Sequence, residues 1–150
     1  MTAFDITSTA RAIQTHLQGS GLFYSVDIGR PSQPPGEGPS ATIHGDSYRV
    51  LHVTSHPVEQ HVLKVRIYRA QHTLGDESKE LEAMTVTGSV MALFFGDFTL
   101  GANIRNVDVA GEFGVELSAQ FTDDDVAGAS YHITEITIPL VVDNTTVLVA

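Results

Sequence analysis

Ile6, Ala10, Ile13 and Leu17 recur at helical spacing, which places them on one face. The pattern predicts an amphipathic helix over residues 5–18, with Asp5 as its N-cap and Gly19 as its stop. A different rhythm follows. Leu22, Tyr24, Val26 and Ile28 alternate with Phe23, Ser25 and Asp27, which predicts a strand. Ala41–Ile43 and Tyr48–Thr54 also read as extended, with Gly45-Asp46 as a turn between them. The clearest alternation is Val62–Arg69. Leu63, Val65 and Ile67 face one way there, and Lys64, Arg66 and Tyr68 face the other. That is the period of a half-buried antiparallel strand.

A second helix is expected from about residue 77 to 95. Asp76 is its predicted N-cap, and Glu77, Glu80 and Glu82 favour the positive end of a helix. Leu81, Met84, Gly88, Met91 and Phe95 form one continuous face at helical spacing. Gly88 in that face predicts close approach to a neighbour, and Gly96 closes the helix. Beyond it, Asn103–Val109, Val115–Phe121 and Tyr131–Val142 read as strands, with a turn at 123–128. Pro139 has no amide donor, so it predicts an edge position or a bulge. The expected fold is α+β: a mostly antiparallel sheet flanked by two helices, which pack on one of its faces. Residues 30–39 hold four of the six prolines and read as an exposed Pro-rich loop.

Composition bounds what this fold can do. At 150 residues the chain is expected to be one domain, able to bury roughly 70% of its unfolded surface. With no cysteine it holds no disulfide and no thiolate chemistry. No apolar run approaches the roughly 20 residues of a membrane helix. No secretory leader is evident at the N-terminus, so a soluble protein that stays where it is made is expected. The net charge is −10, and residues 101–150 carry one basic against eight acidic side chains. Such a chain repels phosphate, which argues against tight nucleic-acid binding.

The chemical motifs do not complete themselves. Gly36-Glu37-Gly38-Pro39-Ser40-Ala41 matches a dinucleotide fingerprint by letters, but prolines stand before and inside it and no helix opens there. Asp123, Asp125 and Gly128 suggest a calcium loop, yet Thr134 occupies the closing acid's position. His52, His56 and His61 are the closest histidine set and define the one metal-binding alternative, although Pro57 interrupts them. No serine-hydrolase elbow is present. No cofactor is expected, and an interaction protein is favoured over an enzyme.

The run from Gly96 to Gly114, GDFTLGANIRNVDVAGEFG, resembles the signature stretch of tail terminator proteins of long, non-contractile-tailed actinobacterial phages. Leu117–Gln120 and Ile136–Asp143 continue the resemblance in order. Pro34–Gly38 and Val62–Tyr68 sit where that family has a Pro-rich loop and a basic strand. The likeness covers most of the chain and is strongest over residues 91–143. His44–His61, the Tyr131-His132 strand opening and the C-terminal Val147–Ala150 depart from the family pattern.

The resemblance implies a non-enzymatic virion protein of the tail neck, made in the host cytoplasm. It implies a homo-oligomeric ring, a hexamer, at the head-proximal end of the tail tube. That ring stops tube polymerisation and joins the tail tube protein to the head-tail connector protein. DNA passes through the lumen without specific binding. The alternative within the virion is another neck, connector or tail tube subunit. The residues expected at subunit interfaces are exposed ones in the matching segments. Lys64, Arg66 and Tyr68 are expected to pair with an acid of a neighbour. Arg105 and Asp108 lie on opposite faces of their strand, and Phe113 is a loop anchor flanked by glycines.

Overall fold

The computed structural model describes residues 6–31, 36, 38–53, 57–70, 76–97, 99–100 and 104–143. Helix α1 spans Ile6–Gly19 and helix α2 spans Asp76–Gly96. The strands are β1 (Ser25–Ile28), β2 (Ser40–Val53), β3 (Pro57–Ala70), β4 (Asn106–Val107), β5 (Ser118–Val126) and β6 (Ala129–Asp143). They form one sheet in the order β1-β2-β3-β6-β4, with β5 also paired to β6. β1 runs parallel to β2, and the other described pairings are antiparallel. The fold is the expected α+β, with a mostly antiparallel sheet.

Both helices cover one face. Ile13 and Leu17 of α1 and Val86, Val90 and Phe94 of α2 share a core with Ala41 and Ile43, with Leu63, Val65 and Ile67, and with Ile136, Ile138 and Leu140. On the opposite face a smaller cluster of Tyr68, Ala70, Tyr131 and Ile133 closes the far end of the β5–β6 hairpin. His16 Nε2 and Asp97 Oδ2 meet at 2.9 Å and tie the C-terminal ends of the two helices together.

Several expectations change. The turn at Gly45-Asp46 is absent: β2 is one continuous strand, with register breaks at Gly45/Ser47 and Val50/His52. Each break is a bulge, in which an added residue is absorbed without ending the ladder. The buried stripe of α2 is Ala83, Val86, Val90 and Phe94, while Leu81, Met84 and Phe95 are exposed. This helix is apolar on both sides, so spacing alone does not choose between the two stripes. Glu82 beside Ala83 meets the buried Arg69 at 3.2 Å, and the opposite rotation would strand that cation. A Cβ on Gly88 would meet nothing, so no close approach occurs there.

Pro139 lies in β6 between two partner sides and is neither at a sheet edge nor in a bulge. It pairs with Val62 of β3, while its carbonyl accepts from the Asp108 N–H at 2.9 Å. In an antiparallel strand a residue's N–H and C=O point to the same side. The missing donor therefore faces the break between β4, which ends opposite Leu140, and β5, which begins opposite Thr137. The reciprocal bond to the Asp108 carbonyl cannot form, and that carbonyl accepts from the Gly111 N–H at 3.3 Å instead. Within the expected strand Asn103–Val109, the described residues 104–109 are extended only over Asn106–Val107; Asn103 and the predicted cap Asp5 lie outside the described residues.

Candidate functional site

The alternation of β3 places Lys64, Arg66 and Tyr68 on the sheet face away from the helices. The β3–β6 register sets Arg66 opposite Glu135 and Lys64 opposite Thr137. Lys64 Nζ donates to Glu135 Oε1 at 3.1 Å, and Arg66 Nε donates to Oε2 at 2.7 Å. One carboxylate thus joins two neighbouring cations of its own chain. Burial works against the Glu135 carboxylate, but the bonds and charges of Lys64 and Arg66 outweigh it and hold its pKa below the usual value. Burial likewise opposes the Arg66 charge, and its bonds to Tyr68 and Glu135 prevail and raise its pKa. Tyr68 itself is buried beneath Tyr131, with ring centroids 6.0 Å apart and edge-on. Beside this seam, His44 has its pKa lowered by burial, then by Arg30 and Arg66.

The second group of candidate residues lies in the segment after α2. Arg105 is exposed, 3.7 Å from Asp143 Oδ1. Asp108, which the sequence pattern places on the surface, is only 3% exposed. The N–H groups of Glu112 and Phe113 donate to its Oδ1 and Oδ2, both at 2.9 Å. Asp108 therefore holds the loop in shape, and Phe113 is fixed through its backbone with a half-buried side chain. Gly111 and Gly114 adopt φ of 76° and 99°, which L side chains rarely adopt. The structure brings Lys64, Arg66 and Tyr68 together. Arg105, Asp108 and Phe113 belong to the β4 region and its following loop.

A third feature has no signature in the sequence pattern. A cavity of about 520 Å³ opens between the first turns of α1 and the β2–β3 ladder. Ile6, Ala10, Ile28, Ile43 and Leu63 supply its apolar wall. Tyr48 and His61 stand at its polar end, ring centroids 4.8 Å apart. The Tyr48 hydroxyl donates to Glu59 Oε1 at 2.9 Å, and His61 Nε2 lies 3.1 Å from Oε2. That bond to Glu59, then burial, raises the tyrosine pKa. The first bulge of β2 puts Tyr48 on this face, a displacement that plain alternation does not reveal. Of the metal-binding alternative, only the His61 side chain is described; His56 and the side chain of His52 lie outside what the structure describes. Among the described residues no group of three or more histidine or carboxylate side chains is placed to hold a metal.

Comparison with known proteins gives no matching family model and no match among curated proteins. Among the described residues no helix is long and apolar enough to cross a membrane.

Proposed function

We propose that this chain is a structural virion protein of a phage tail, acting as a tail terminator. In this reading it forms a ring at the head-proximal end of the tail tube, stops tube growth and offers the joint to the head-tail connector. The observation that carries the reading is the resemblance of residues 91–143, within which Asp108, Gly111 and Gly114 serve architecture rather than reaction chemistry. Asp108 uses both carboxylate oxygens on loop backbone, and the two glycines supply turn geometry. The net charge of −10 is compatible with a channel that DNA must traverse without sticking.

The test is electron microscopy of particles from a phage with a stop codon in this gene. Overlong, headless tails are the expected result. Normal-length tails beside filled heads would assign the chain to the connector instead. Complete infectious particles would overturn both assignments.

A further inference from the structure

Among the described residues the sheet ends in β1 on one side and in β4 and β5 on the other. β1 pairs only with β2 at one end, and β5 pairs only with β6 at the other, among the described residues. An open edge offers unpaired N–H and C=O groups to any extended partner. The two edges also carry apolar side chains that the fold leaves in solvent. Tyr24 is 83% exposed and Ile28 44% exposed at the β1 end, and Phe121 is 43% exposed on β5.

Their charges are opposite. Asp123, Asp124 and Asp125 lie in sequence along β5, all exposed. β1 carries Asp27 but is flanked by two exposed guanidiniums, Arg11 on α1 and Arg30 just past the strand. Arg11 donates to Gln14 Oε1, and Gln14 Nε2 donates to the Val26 carbonyl, each at 2.9 Å. That chain of bonds holds Arg11 beside the middle of β1. The faces agree as well. Val26 and Ile28 pair with Ala41 and Ile43 on the helix side, and Phe121, Asp123 and Asp125 face the same side of β5.

We propose that β1 of one copy adds to β5 of the next, extending the sheet from subunit to subunit with the helices on one side. Strand directions across the sheet make this junction antiparallel. Ile28 then approaches Phe121, and Arg11 and Arg30 approach Asp123 and Asp125 on the same face. Acidic side chains on an edge ordinarily bar indiscriminate pairing. Here they repel a second β5 edge and admit a partner that brings cations. The contact joins two different surfaces, so repetition gives a closed ring or a filament. Closure into a ring rests on the tail-terminator reading; the strand contact itself does not.

The chain has no cysteine, which makes site-directed cross-linking direct. Ile28→Cys is combined in the full chain with Phe121→Cys, Asp123→Cys or Asp125→Cys in turn, and variants that melt like the parent are oxidised. Opposed residues in antiparallel strands lie within disulfide reach. A ladder of linked copies is expected for at least one of these partners. Gln120→Cys, Thr122→Cys and Asp124→Cys, on the other face, should link about tenfold less. Equal yields on both faces, or a monomer by sedimentation velocity at the highest attainable concentration, would overturn the contact. Overlong tails in the stop-codon phage without a ladder would retain the terminator and remove this interface. A ladder with normal tails would retain the interface and remove the terminator.

Discussion

Replacing Glu135 with glutamine tests the reading of the charged seam most sharply. Glutamine keeps the shape and one acceptor oxygen, but it removes the negative charge and points an N–H donor at Lys64 or Arg66. Exposed ion pairs are worth about 0–1 kcal/mol. Breaking a fully buried pair costs about 3–5 kcal/mol, because a charge is left uncompensated. The Lys64, Arg66 and Glu135 side chains are 19%, 31% and 21% exposed, between these limits. Two charge-assisted bonds are lost together, so a destabilisation of about 2 kcal/mol is expected. For a chain of this size that lowers the melting temperature by about 4–8 °C. The assay is thermal unfolding of both proteins across pH. Glu135 has its folded pKa depressed, so its contribution is present above the unfolded carboxylate value of about 4.3. It is lost as pH falls through the folded value, where the parent carboxyl is protonated too. The gap between parent and variant should therefore close in acid. A gap below about 0.5 kcal/mol at neutral pH, or one that persists unchanged in strong acid, would refute the reasoning.

Three further outcomes are expected. Phe94→Ala should destabilise by about 3–5 kcal/mol and Phe95→Ala by under about 0.5 kcal/mol, since only Phe94 is buried; denaturant titration of the two decides which stripe of α2 faces the sheet. Asp108→Ala should cost about 2 kcal/mol and speed amide exchange at Glu112 and Phe113, whose N–H groups lose their acceptors. Gly38→Ala should cost about 3 kcal/mol or more, because φ is +77° and a Cβ would collide with the Tyr68 carbonyl oxygen; Gly45→Ala, with open space at its Cβ, is the tolerated control in the same melting assay.

Period-two alternation made β3 and β6 legible, because each buries one phase against the helices. α1 was legible because its other face is polar. α2 resisted for the opposite reason: both of its faces are apolar, and what selects one of them is the buried Arg69 near the end of β3, the strand that precedes it. β2 resisted because two bulges break its alternation, so a continuous strand looked like two with a turn. The basic phase of β3 was visible as a charged face, but its partner was not. Glu135 lies in the polar phase of β6, and only the β3–β6 register shows that it meets Arg66 across the ladder and reaches Lys64 beside it. Asp108 looked like a surface charge because a carboxylate that accepts two loop amides has no signature in spacing. The cavity joins α1 to a bulged ladder and follows from tertiary structure alone.

The bulges of β2 have a mechanical consequence. Between Ser40 and Val53 this strand uses fourteen residues, while its partner spans the same ladder from Pro57 to Tyr68 with twelve. At about 3.3 Å per residue, the mismatch is roughly 7 Å of contour. Two strips of unequal length bonded along their edges cannot lie flat, as in a bimetallic strip. The hairpin therefore carries a permanent set, written in residue count rather than in any one contact. Side-chain substitutions along it should leave that bend in place, whereas deleting Asp46 and Leu51, the two residues without a ladder partner, should straighten it.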